Sequence, residues 1–146
     1  MRIWHIELLP YLPDLQFKGQ LRELVVIMRD WREKGKTNHL LINEVCNYPK
    51  RHLSTYFFRY MWLYRERYGK HISPKTIKEF ENFSSAFYNA AEPIFEDWHC
   101  TEYLRVCMAN LYEKHEFGVG KSRITEEEWS RLCDGYKKIT GEEYKV

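Results

Sequence analysis

The chain has 146 residues, of which 44% are hydrophobic and 30% are charged. This length suits one domain with its own core, and the composition is that of a soluble globular protein, which excludes a disordered or membrane protein. No apolar run approaches the roughly 18 residues that a membrane span needs. Early charged residues and prolines exclude a signal peptide, so we expect a cytoplasmic protein of a bacterium or a phage-infected cell.

The predicted elements of the first half are helical. A helix over residues 14–34 begins at a capping Asp14, and a short apolar segment over 39–45 favours a brief helix. A longer helix covers residues 49–68 and is stopped by Gly69. The apolar stripe predicted for the first helix is Leu21, Leu24, Val25, Met28 and Trp31.

The second half continues the same pattern. Ser-Pro at the start of residues 73–91 predicts an N-cap and first turn, and residues 94–117 contain another helix. Thr125 and Glu128 form a capping box for a last helix after a glycine-containing loop. We therefore predict an all-α fold, a single domain over residues 1–146 with five or six helices.

Charge divides this domain into two parts. Residues 1–72 contain 13 Lys and Arg against 7 Asp and Glu, whereas residues 73–146 contain 10 against 14. A basic first part suits a polyanionic partner, although a chance asymmetry of a solvated surface explains the same counts.

The four cysteines are too far apart for any Cys-x-x-Cys pair. Buried, reduced thiols are the expected state, because free cysteine behaves as a small apolar residue. A metal site built from His99, Cys100 and Cys107 is the alternative. We favour the thiol interpretation and expect neither a metal nor a cofactor.

A basic row follows one side of the first helix. Lys18, Arg22 and Arg29 occur at positions i, i+4 and i+11, and Glu23 and Gln20 lie on the neighbouring face. Such a row can hold phosphates, since each cation that neutralises one releases a counterion. A lone carboxylate in that field would repel phosphates, so Glu23 either pairs with nearby arginines at the surface or takes part in chemistry.

The first residues of the chain favour a chemical role for Glu23. The chain opens Met1-Arg2-Ile3-Trp4-His5, continues with Leu12-Pro13, and reaches Gly19-Gln20-Leu21-Arg22-Glu23 on the first helix. These residues resemble the pyrimidine-dimer DNA glycosylases of the phage endonuclease V type, and more closely a group of related bacterial and phage proteins. The resemblance covers about residues 1–40 and extends at most into the aromatic segment that ends at Gly69.

The resemblance implies a specific chemistry. The nucleophile is the α-amine of the chain, here supplied by Met1, and Glu23 is the acid/base and electrostatic partner. Arg2 and Arg22 contact the phosphates that flank a damaged base. His5 and Gln20 are expected near the site.

Further DNA contacts are predicted at the start of the third segment. Lys50, Arg51 and His52 stand at a helix N-terminus, where anions are attracted. The following residues 56–68 include seven aromatic residues and three arginines. Most of these rings fit a core stripe, and the surplus rings, among them Tyr56, Trp62 and Tyr68, suit either base stacking or packing between helices.

The sequence therefore predicts a DNA glycosylase with AP-lyase activity, with a pyrimidine dimer as the default lesion. Its partner is double-stranded DNA, with no membrane contact, and we expect a monomer. Two alternatives stay open: a non-catalytic nucleic-acid-binding relative, and a protein-interaction module of a phage or bacterium on the same scaffold.

Overall fold

A computed structural model describes residues 2–39, 42–84 and 92–146, and this part of the chain is helical without any strand. The all-α expectation is confirmed. None of the described helices is long and apolar enough to pass through a membrane. Five are α-helices, namely α1 (Asp14–Lys34), α2 (Lys50–Tyr68), α3 (Pro74–Phe83), α4 (Thr101–Glu116) and α5 (Glu126–Thr140). Three are 3-10 helices, over Ile6–Tyr11, Asn43–Asn47 and Gly120–Ser122.

Local signals set the boundaries of three of these helices as predicted. Helix α1 covers the predicted residues, and α2 ends where Gly69 adopts the left-handed conformation with φ of 64°. At the start of α5, the Thr125 side chain accepts from the Glu128 backbone while the Glu128 side chain accepts from the Thr125 backbone. This capping box therefore satisfies two backbone donors at the start of the helix.

Two predicted helices are shorter than expected. Helix α3 ends at Phe83 because Ser84 has extended backbone, and the rest of the predicted segment, 85–91, lies outside the described residues. Helix α4 begins only at Thr101, since Cys100 is extended and Phe95 has a φ of 50° that a right-handed helix cannot contain. The predicted brief helix near residue 40 is the 3-10 helix Asn43–Asn47; residues 40–41 lie outside the described residues.

The chain divides into two compact units, the first of which comprises Met1–Ile3 and Gln20–Trp98. Its core is aromatic. The rings of Phe57 and Phe80 stack in parallel with centroids 3.8 Å apart, and Trp31 meets the edge of Phe83 at 5.3 Å. These contacts join α2 to α3 and α1 to α3.

The buried stripe of α1 is rotated from the predicted one. Leu21 and Val25 are only half-buried, whereas Gln20 and Ile27 are fully buried. The fully or largely buried residues of α1 within this unit are Gln20, Leu24, Ile27, Met28 and Trp31. The face of α1 beside the basic row, on which the sequence places Gln20 and Glu23, therefore includes core positions.

The second unit comprises Trp4–Gly19 and His99–Val146. Helix α5 packs closely on the Ile6–Tyr11 segment: a Cβ added at Gly135 would lie 2.4 Å from Cγ of Tyr11. The Arg131 guanidinium donates to the Pro10 carbonyl at 2.8 Å. The buried residues of α4 are Leu104, Cys107, Met108, Leu111 and His115.

The cysteines are all free thiols, but only Cys107 is fully buried. Cys46, Cys100 and Cys133 are half-buried. Within the described ranges, no group of three or more His, Cys, Asp or Glu side chains is arranged to hold a metal ion. The alternative metal site at His99, Cys100 and Cys107 is therefore not formed.

Candidate active site

The Glu23 carboxylate is joined to the beginning of the chain. The backbone N–H of Arg2 donates to Oε2 of Glu23 at 3.2 Å. Gln20, one turn earlier on α1, donates its side-chain N–H to the same oxygen at 3.3 Å and to the Arg2 carbonyl at 2.8 Å. Arg2 is thus held through both its N–H and its carbonyl, next to a carboxylate twenty-one positions away.

The two oxygens of Glu23 are in different situations. Oε2 accepts both hydrogen bonds, and among the residues that the structure describes Oε1 accepts none. Burial raises the pKa of the half-buried Glu23 side chain, while the Arg2 hydrogen bond and the charges of Arg22 and Arg2 act in the opposite direction. A carboxyl whose pKa is moved toward neutrality, with one oxygen available, is suited to proton transfer.

The basic row on α1 is partly neutralised by ion pairs. Lys18 pairs with Asp14 at 3.2 Å, and Arg29 makes a two-pronged pair with Glu79, with distances of 2.8 and 3.0 Å. Arg22, which is exposed, has no ion-pair partner among the described residues. Arg22 is therefore the member of the row whose charge is most available to a phosphate.

Two of the α2 residues that were predicted to contact DNA are hydrogen-bonded to a neighbouring loop. Arg51 donates to Glu92 at 2.8 Å, and His52 accepts the backbone N–H of Phe95 at 3.2 Å. Partial burial lowers the pKa of His52, against the raising effect of Glu92. Lys50 is exposed and lies over the Phe83 ring.

The contacts of Arg51 and His52 lie beside Phe95, whose backbone is strained. Phe95 has positive φ, which is uncommon for a bulky side chain, and its ring is fully buried. Tyr48, His52, Tyr56 and Trp98 surround it. Arg51 and His52 thus have a structural role here, which the sequence did not indicate.

His5 belongs to the second unit, whereas Glu23 belongs to the first. His5 is buried, accepts the Glu7 backbone N–H at 3.2 Å, and stacks on His99 with centroids 5.2 Å apart. Burial lowers the pKa of both imidazoles, that of His99 well below its usual value. His5 thereby caps the 3-10 helix Ile6–Tyr11.

Tyr56, which the sequence placed among the rings suited to base stacking or packing between helices, belongs to the site through a contact with Gln20 that the sequence did not indicate. Its fully buried hydroxyl donates to the side-chain oxygen of Gln20 at 3.1 Å, so it contacts the residue that holds Glu23. The available signal was the spacing of Tyr56 and Tyr60, which places both rings on the buried face of α2. Base stacking by Tyr56 is excluded by this burial. Met1 lies outside the described residues.

Comparison with known proteins identifies the family of this chain. A search of curated proteins and a search of solved structures gave no significant match. A family model described as pyrimidine dimer DNA glycosylase matches residues 1–76, which include Arg2, Gln20, Glu23 and Tyr56. This match covers more than half of the chain, and the chain belongs to the pyrimidine dimer DNA glycosylase family.

Proposed function

We propose that the protein is a DNA glycosylase with AP-lyase activity, acting on a damaged base through the α-amine of Met1 with Glu23 as its catalytic partner. A pyrimidine dimer is the default lesion because it is the lesion of the family. The observation that carries the proposal is the hydrogen bond between the Arg2 N–H and Glu23 Oε2. The α-amine of the preceding residue is three covalent bonds from that nitrogen, so the contact limits how far the amine can be from the carboxylate.

An α-amine is a suitable nucleophile near neutral pH. Its ordinary pKa of about 7.7–8.0 leaves a substantial neutral fraction, whereas a lysine at about 10.4 would need deep burial. The nitrogen lone pair forms a bond to C1′ of the deoxyribose, and the bond between C1′ and the base breaks. The base leaves with the bonding electrons and takes up a proton.

Glu23 is proposed to act in the steps that follow. As the C1′–O4′ bond breaks, O4′ takes up a proton and an imine remains between the amine and C1′. Oε1 of Glu23 is available to carry protons, and the negative carboxylate stabilises the cationic sugar. Removal of a C2′ proton then expels the 3′ phosphate by β-elimination. Arg2 and Arg22 supply charge for the flanking phosphates.

Borohydride trapping tests this reaction directly, because borohydride reduces the imine to a stable adduct. The protein, with Met1 as its unblocked first residue, is incubated with duplexes that contain a pyrimidine dimer or an abasic site. We expect an adduct that maps to Met1 and disappears in Glu23→Gln and after N-terminal extension. Glu33→Gln is the matched control, since Glu33 is an exposed carboxylate on the same helix that pairs with Arg32.

Two results would count against the proposal. The first is an absence of adduct on both duplexes at low salt. The second is an adduct that survives N-terminal extension, which would show that another amine attacks. Salt-dependent binding without an adduct would instead favour a non-catalytic nucleic-acid-binding protein.

A further inference from the structure

We propose that Gln20 is a positioning residue for this reaction: it holds the Glu23 carboxylate and the Arg2 backbone in one arrangement, and Tyr56 holds Gln20. The inference rests on the proposed function, because it explains how the two proposed catalytic groups are kept together. Gln20 is fully buried, and Tyr56 is fully buried on the neighbouring helix α2.

The side-chain amide of Gln20 is hydrogen-bonded to three other residues of the site, namely Arg2, Glu23 and Tyr56. Its N–H groups donate to the Arg2 carbonyl at 2.8 Å and to Glu23 Oε2 at 3.3 Å, and its oxygen accepts the Tyr56 hydroxyl at 3.1 Å. Arg2 completes the arrangement by donating its N–H to Glu23 Oε2. A buried amide needs such partners, whereas an apolar residue at this core position would need none.

These partners permit only one orientation of the amide. Two acceptors, the Arg2 carbonyl and the Glu23 carboxylate, lie on the side of the nitrogen. Turning the amide by 180° would bring its oxygen against both acceptors and its N–H groups toward the Tyr56 hydroxyl. The Arg2 carbonyl and the Glu23 carboxylate therefore select the orientation of the amide, and the Tyr56 hydroxyl holds the Gln20 oxygen in that orientation by donating to it.

This orientation determines which oxygen of Glu23 can react. Because Gln20 and the Arg2 backbone both donate to Oε2, that oxygen is engaged, whereas Oε1 accepts from none of the described residues and is left for proton transfer. The same contacts fix Arg2, to which Met1 is covalently attached. A displacement of about 1 Å between reacting groups can reduce a rate by about 100-fold, so the arrangement has a direct effect on the chemical step.

The position of Tyr56 is itself fixed by the core. Its ring contacts Phe95, with centroids 6.2 Å apart, and Phe95 is clamped by the hydrogen bond from its N–H to His52. The contact series from Phe95 through Tyr56 to Gln20 lies within the first unit. The packing of residues 92–98 is therefore connected to the orientation of Glu23 by direct contacts.

The test measures the single-turnover rate of imine formation on an abasic-site duplex, with the duplex affinity measured separately. Gln20→Met keeps the length of the side chain and removes the amide; we expect its rate to fall by about 10–100-fold. Tyr56→Phe removes only the hydroxyl, and we expect a loss of about 3–10-fold. Duplex affinity should stay within about twofold, because neither side chain is exposed to a phosphate.

The pH dependence of the rate separates positioning from a general loss of folded protein. Hydrogen bonds to a carboxylate favour its charged form, so removing the Gln20 donor should move to higher pH the inflection that Glu23, as distinct from the amine, contributes to the acid limb of the pH–rate profile. Ser54→Ala is the matched control: it removes another buried hydroxyl from α2, one that donates to the Phe80 carbonyl, and should leave rate and profile unchanged.

The outcomes distinguish this inference from the proposed function. If the wild-type protein forms no adduct, both are overturned. If it forms an adduct and Tyr56→Phe and Gln20→Met react at the wild-type rate, only the positioning role is overturned. A rate loss that Ser54→Ala shares, with an unshifted pH profile, likewise overturns it. Should Gln20→Met fail to fold, Tyr56→Phe decides.

Discussion

Replacing Glu23 by Gln should stabilise the protein while it abolishes the reaction. Burial raises the pKa of the Glu23 carboxyl, so the charged form is disfavoured in the folded chain. Gln has the same shape and an oxygen that can still accept from the Arg2 N–H, but it carries no charge to desolvate. Active-site residues commonly reduce stability in this way.

The size of the effect follows from the geometry. Glu23 is half-buried, and Oε2 keeps two hydrogen bonds, so solvent and donors together offset much of the desolvation cost. We expect Glu23→Gln to gain no more than about 1 kcal/mol at pH 7, after allowing for solvent screening. In a protein of this length such a gain corresponds to a rise in Tm of roughly 2–4 °C.

The gain should depend on pH in a defined direction. Because the folded pKa of Glu23 lies above the unfolded one, the stability that this group contributes is fully present below the ordinary glutamate pKa of about 4.3 and is lost as the pH rises through the folded pKa. Wild type and Glu23→Gln should therefore differ at pH 7 and converge as the pH falls toward 4.

Thermal unfolding of both proteins between pH 4 and pH 8 measures this difference. The exposed Glu33→Gln variant serves as control and should change stability by less than about 0.5 kcal/mol at every pH. A Glu23→Gln protein that is less stable than wild type at pH 7 would refute the reasoning. So would a stability gain that does not shrink on acidification.

Two further predictions concern DNA binding and packing. Arg22→Ala should reduce the slope of log affinity against log salt concentration by about 0.9, the value for one lost phosphate contact. Arg29→Ala should leave this slope nearly unchanged, because Glu79 already neutralises Arg29. Equal slopes for the two variants would contradict this prediction. Gly135→Ala should lower the free energy of unfolding, measured by urea denaturation, by about 1–3 kcal/mol, because the added Cβ would clash with the Tyr11 ring. In a Tyr11→Ala background the same substitution should be neutral or stabilising. An equal loss in both backgrounds would exclude the Tyr11 clash as its cause.

The helix boundaries that sequence reasoning obtained correctly depend on signals within a few residues. Gly69 ends α2 by adopting positive φ, and the Thr125–Glu128 capping box starts α5. The late start of α4 had no such signal. This late start follows from the positive φ of Phe95, which depends on contacts of its ring with aromatic rings of α2 and the preceding loop.

The site shows the same division between local and long-range information. Arg2, Gln20 and Glu23 were identified by their motif, and the structure brings these three together. The motif could not reveal that Gln20 is buried, because the periodicity of α1 also fitted a stripe that includes Leu21. The partner of Arg29 is Glu79, fifty residues away, which no spacing on α1 could indicate.

The proposed reaction makes two opposing requirements of this site. The attacking amine must be neutral, yet a nearby carboxylate stabilises its charged and unreactive form. Donors that engage Oε2 of Glu23, and the Arg22 charge that interacts with the carboxylate, both reduce the negative potential that reaches the amine. In the proposed reaction the attack produces a cationic sugar, which the same carboxylate would stabilise through Oε1, the oxygen that accepts no hydrogen bond from the described residues. A half-buried Glu23 with one engaged oxygen therefore satisfies both requirements, whereas a fully solvated or a fully buried carboxylate would satisfy only one.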